Sequence, residues 1–147
     1  YQEPMPYDWI PLSDDEMIVA VPPDHDLAPN GPYPLSRCQK ETVIMPALGK
    51  DDDVLHLLKK NNLQPRIGYT TLENNAAISM VEEGLGICIM NRLITKKRVT
   101  SVVLLPLDPP AAITLGIAFL PGNAASPAVR KFAQYALAIT THRPITG

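Results

Sequence analysis

Cysteine is scarce in this chain, and what there is lies far apart. Cys38 and Cys88 are the only two, and no Cys-x-x-Cys pair or metal-type spacing occurs. A disulfide-stapled or zinc-built scaffold is therefore excluded, and two isolated thiols on ordinary apolar segments suit core packing in a reducing compartment. No apolar run approaches the roughly 20 residues that span a bilayer. Tyr1-Gln2-Glu3-Pro4 has neither a basic start nor an apolar stretch, so no signal peptide is visible. An excess of positive charge is also missing. The formal net charge is −2 over 147 residues, which argues against a free-standing nucleic-acid binder. The one dense basic run, Lys96-Lys97-Arg98, reads as a solvated loop.

Catalytic and metal signatures are equally thin. Asp24-His25-Asp26 and Asp51-Asp52-Asp53 match no calcium-loop or zinc spacing, and turns and caps explain the acids. His25, His56 and His142 have no visible nucleophile partner, Ser79 falls mid-helix, and there is no Gly-x-Ser-x-Gly elbow. Met5, Met17, Met45, Met80 and Met90 read as core fillers.

What is present is a 46% hydrophobic chain with 16 prolines that fall mostly between elements. Trp9 to Leu12 reads as a short strand interrupted by Pro11. Glu16 to Val21 is a buried strand stopped by Pro22-Pro23, and Asp24 to Pro34 is turn-rich. Leu35 to Gln39 suits one helical turn, and Thr42 to Met45 is a β-branched strand ended by Pro46. Asp51-Asp52-Asp53 opens a helix through Val54, Leu55, Leu57 and Leu58, with Asn61 or Asn62 at its end and Pro65 beyond. Arg66 to Tyr69 is a strand. Val99–Leu107 and Ile113–Phe119 are two more, parted by Pro109-Pro110. Ser126-Pro127 sets a cap and first-turn proline for a final helix over Val129, Phe132, Ala133, Ala136 and Leu137.

The stretch from Thr70 to Met90 carries the most information. Thr70 with Glu73 three residues on forms a capping-box pattern, and Ala77, Ile78, Val81 and Leu85 recur at helical spacing. Gly84 suits a left-handed helix end, and Leu85 to Met90 reads as a buried strand in which Gly86 allows close backbone approach. Alternating strands and helices point to an α/β fold, a mainly parallel sheet flanked by helices. In such sheets ligands sit beyond the carboxyl ends of strands. That places candidate ligand-binding residues at Pro46, Ala47, Leu48 and Gly49, extending to Lys50, and at Thr70 and Thr71, where a helix start offers free N–H groups to an anion.

The ordered series resembles a family. Asp14 to Ala28 is similar to the strand and "His-Pro-Leu-Ala" turn of LysR-type transcriptional regulators, with Asp26 in place of the proline. Val81-Glu82-Glu83-Gly84-Leu85-Gly86-Ile87 resembles the family's "Val-x-x-Gly-Leu-Gly-Ile" segment, with Asn91 where proline often follows. The closing strand and the Ser126-Pro127 helix match the family's end. The resemblance covers nearly the whole chain. It implies a type 2 periplasmic-binding-protein-like fold of two lobes, with a small molecule bound between them and no cofactor. Residues 13–91 would form one complete second lobe, and 1–12 with 92–147 would be part of the first. The rest of the first lobe and a DNA-binding winged helix-turn-helix would precede Tyr1. The implied protein is a cytoplasmic, non-enzymatic effector sensor that forms homo-oligomers and contacts DNA only through that preceding domain. Its sequence-level alternatives are a solute-binding protein of a transport system and an enzyme on the same scaffold.

Overall fold

In the computed structural model, residues 7–28, 31–49, 51–96, 100–121 and 125–141 are described. Lys50, Lys97, Arg98, His142 and Met5, singled out above, lie outside them. The chain divides into two compact units. Unit 2 is Asp15–Ile113, and unit 1 joins Tyr1–Asp14 to Thr114–Gly147. The segment 92–113, expected with the first lobe, groups with unit 2.

Strand β1 is one continuous 14-residue element, Asp8–Val21, rather than two strands broken at Pro11. It is followed by β2 (Tyr33–Pro34), β3 (Thr42–Met45), α1 (Asp52–Lys60), β4 (Arg66–Thr70), α2 (Asn74–Glu82) and β5 (Cys88–Asn91). A short α3 (Arg92–Thr95), β6 (Val103–Asp108), β7 (Ala112–Phe119) and α4 (Pro127–Thr141) complete the order.

The sheet of unit 2 is mixed. β3 pairs in parallel with β4, and Val43 bridges in parallel to Ile87, which leads into β5. β5 and β6 flank β1, both antiparallel to it, and β2 lies parallel to β6. The expected parallel character therefore holds for β2, β3, β4, β5 and β6, and β1 alone runs against them. From Met17 to Val21 every β1 residue is buried, because both faces are covered. Met17, Val19 and Val21 join Val43, Met45 and the α1 residues Val54, Leu57 and Leu58 in one apolar layer. Ile18, Ala20 and Ile44 join the α2 residues Ala77, Ile78 and Val81 in the other. The two helices thus cover opposite faces of the sheet.

Local signals set most helix ends. Asp51 caps α1, accepting the Val54 N–H at 3.2 Å, and Asn61 closes it. In unit 1, Ser126 Oγ accepts the Val129 N–H at 3.3 Å at the start of α4. Gly84 takes φ +72° and ends α2. Two expectations need correction. The Thr70–Glu73 capping box does not form. Thr71 N–H is held by Met45 O at 3.0 Å, so the chain stays extended past Thr70 and the helix starts at Asn74, where Glu73 makes no side-chain cap. Leu85 lies beyond the turn at Gly84, off the helical stripe, and is 41% exposed. The apolar face expected on α4 is only partly covered: Ala133 is buried, and Phe132 is 64% exposed.

Candidate functional site

The site is built on the carboxyl ends of β3 and β4. β3 ends at Met45, and Pro46 leads into a tight 3-10 turn over Ala47–Gly49, closed by Gly49 N–H donating to Pro46 O at 3.0 Å. Ala47 (φ +51°) and Gly49 (φ +79°) both take left-handed backbone, a conformation glycine adopts freely and alanine does not. A Cβ added to Gly49 would sit 3.3 Å from Thr70 Cγ2, so the turn lies directly against the end of β4. Met45 pairs with Thr70 across the parallel ladder, and Thr71 continues it through the Met45 carbonyl. The structure therefore brings the two stretches singled out in the sequence side by side. Pro46 and Thr71 are buried, while Ala47 and Thr70 are exposed.

The connections leaving these two strand ends follow a definite topology. The chain leaves β3 over one face through α1 to reach β4. It then crosses the other face through α2 to the Ile87 segment on the far side of β3. The connections leaving the adjacent ends of β3 and β4 therefore run over opposite faces, which is the switch-point geometry in which α/β sheets bind ligands.

The two helix starts flanking it differ electrically. α1 carries Asp51 as cap and Asp52 and Asp53 in its first turn, so its positive end is already neutralised. α2 has no side-chain cap bond and no acidic residue in its first turn. Glu73 stands at its cap position, so of the two starts that of α2 carries the fewer carboxylates. Thr71 Oγ1 donates to Glu73 O at 3.0 Å. Sequence reasoning missed Asn74. Among the described residues, its Oδ1 is sealed from solvent with no hydrogen-bond partner. An asparagine at a helix start is too common to have flagged it.

A second polar cluster lies around a groove of about 370 Å³, lined in part by His25, Arg37, Glu41 and Gly84–Ile87. Leu27 N–H donates to His25 Nδ1 at 3.2 Å, so Nε2 donates to Glu41 at 3.3 Å. Tyr33 and Arg37 also donate to Glu41, and Arg37 reaches Asp26 at 2.6 Å. The hydrogen bond from Arg37 holds the Asp26 carboxyl below the usual range, and burial beside Glu41 pushes Tyr33 ionisation up. Every member is engaged with another, which ties the turn after β1 to the strand ahead of it. No group of three or more metal-ligating side chains is found among the described residues. Both thiols are buried, with Cys38 pushed up to about 11 and Cys88 to about 12, chiefly by desolvation.

The comparisons with known proteins agree with this architecture. The family model "LysR substrate binding domain" matches residues 2–140. The chain is 33% identical over 141 residues to the uncharacterized HTH-type transcriptional regulator YybE of Bacillus subtilis, covering 90% of this chain and 46% of that protein. With the HTH-type transcriptional regulator CysL of Bacillus subtilis it shares 28% identity over 89 residues, 59% of this chain and 30% of that one. The chain thus spans less than half the length of these curated relatives. Among solved structures, the CcmR regulatory domain of Synechocystis PCC6803 in complex with 2-PG superposes with a TM-score of 0.83 at 22% identity, over 98% of this chain and 72% of that one. The effector-binding domain of QuiR in complex with shikimate gives 0.79 at 24% identity, over 96% and 68%. The fold is that of LysR regulatory domains, type 2 periplasmic-binding-protein-like. This is a family of regulator effector-binding domains, not an enzyme family. By its family match and its fold, the chain belongs to the LysR substrate-binding domain family.

Proposed function

We propose that this chain is the effector-sensing part of a cytoplasmic LysR-type transcriptional regulator. A small anionic metabolite binds at the carboxyl edge of β3 and β4, its charge against the first turn of α2 and its body against Pro46–Gly49, Thr70 and Thr71. In this reading unit 2 is the complete second lobe and unit 1 belongs to the first. The whole protein is a homo-oligomer that contacts DNA through a helix-turn-helix outside this chain. Binding that favours one arrangement over another shifts the population competent for DNA, and no covalent step is involved.

The observation that carries the reading is the start of α2, with no acidic residue in its first turn and no side-chain cap bond from Glu73, beside the end of β4 at a switch point. A thermal-shift panel of small carboxylic and phosphoric acids tests it. A ligand at a hundred times its Kd adds about 2.7 kcal/mol to native stability. At least one acid should raise the melting temperature of the wild type, and Ala47→Glu should abolish the shift by placing a like charge at the mouth. No response across the panel, or an equal response from the variant, overturns the reading.

A further inference from the structure

We infer that the turn after β1 carries a pH-dependent fastening, in which protonation moves the His25 ring from the Leu27 backbone to the Asp26 carboxylate. The His25 side chain is 11% exposed, and both ring nitrogens are engaged. Leu27 N–H donates to Nδ1 at 3.2 Å, and Nε2 donates to Glu41 at 3.3 Å. A neutral imidazole has one donor and one acceptor nitrogen, so this arrangement admits a single tautomer. Protonation turns Nδ1 into a donor. It then faces the Leu27 N–H donor against donor, and that bond is lost. An acceptor already stands by, because Asp26 Oδ1 lies 3.3 Å from Nδ1. Nε2 keeps Glu41 in either state, with a charge behind the bond once the ring is protonated.

The surroundings can receive that charge. Arg37, on the 3-10 helix Leu35–Lys40, donates to both Asp26 and Glu41, so two carboxylates share one guanidinium. The Arg37 hydrogen bond holds the Asp26 carboxyl below its usual range, which keeps it ionised as an acceptor. Tyr33 of β2 donates to Glu41, and burial keeps it neutral. Asp24 is exposed on the same turn, and the Gly84–Ile87 wall of the groove brings no titratable side chain. The rest of the turn is held by bonds that the ring does not enter. His25 N–H donates to Pro22 O at 3.1 Å, and Ala28 N–H to His25 O at 2.8 Å. The change therefore centres on Leu27, whose side chain packs against the core layer under α1.

NMR on the isotope-labelled chain tests this over about pH 5 to 8, where imidazoles titrate. At the alkaline end the His25 ring nitrogens should report the Nε2–H tautomer. On acidification the Leu27 amide shift should move with the same midpoint as the ring. Its exchange protection, corrected for the intrinsic rate, should fall about fivefold, as for the loss of one ordinary hydrogen bond, while Ala28 keeps its own. His25→Asn is the discriminating variant. Its side-chain oxygen can stand in for Nδ1 but cannot gain a proton, so Leu27 should stay protected across the range. An Nδ1–H tautomer at the alkaline end, or a Leu27 amide that does not follow the ring, overturns the inference on the wild type alone, whether or not the variant folds. A Leu27 response that persists in His25→Asn belongs to another group and overturns it as well.

Discussion

Gly86→Ala should be among the most damaging single-methyl changes in the chain. A Cβ at Gly86 would lie 2.3 Å from the Thr42 carbonyl oxygen, where real Cβ atoms essentially never come within 3.0 Å. About 0.7 Å must be found, and the obstacle is backbone, not a flexible side-chain tip. That carbonyl accepts the Ile87 N–H at 2.9 Å, while Ile87 O takes the Ile44 N–H at 2.8 Å. Relief therefore pulls apart the join between β3 and the β5 segment. Overpacking costs about 1–3 kcal/mol and a buried hydrogen bond broken open about as much again, giving about 2–6 kcal/mol together, with about 4 as the middle of that range. With a urea slope near 2 kcal/mol per molar, the unfolding midpoint drops by about 2 M. Gly84→Ala is the matched control. Gly84 has φ +72° and nothing within 4 Å, so only the left-handed backbone cost of about 1–2 kcal/mol applies. Urea unfolding followed by far-UV circular dichroism reads both. A Gly86→Ala midpoint no lower than that of Gly84→Ala would refute the contact argument.

Three further tests address separate features. Asp51→Ala should cost about 0.5–2 kcal/mol by urea unfolding through loss of the α1 cap, and Glu73→Ala close to nothing at the start of α2, because of these two only Asp51 makes a cap bond. Thr71→Val should lower stability by about 1 kcal/mol in urea unfolding through the lost bond to Glu73, with Thr71→Ser restoring it. The thiols predict an alkaline loss of stability. Cys88 ionises near 9.0 when unfolded but only at about 12 when folded, so its contribution is intact below pH 9 and declines as pH rises from there. Cys88→Ala should melt with a shallower decline than wild type between pH 9 and 11, and parallel curves would show that burial does not hold the proton.

Features set by neighbours three or four residues apart were legible in the sequence. A cap from within Asp51-Asp52-Asp53, the Ser126-Pro127 helix start and the Gly84 helix end all appear where local spacing placed them, the cap falling to Asp51. Features set by distant chain were not. The displaced start of α2 depends on Met45 accepting from Thr71. The short α3 is anchored by Asp15, which accepts the Leu93 N–H at 3.1 Å from 78 residues away. The split of 92–113 from the rest of the chain's end follows from β6 pairing with β1. The two stretches at the candidate site could be named from strand ends alone. Their adjacency needed the β3–β4 register, which no local pattern encodes.

The alternation along β3 constrains the length of the gene as well as its letters. Val43 and Met45 serve the layer under α1, and Ile44 serves the layer under α2. Deleting or inserting one codon between Thr42 and Met45 would swap which helix each side chain meets and slide the turn at Ala47 off the end of β4. Substitutions there can be graded in cost, but a one-residue indel exchanges inside for outside all at once.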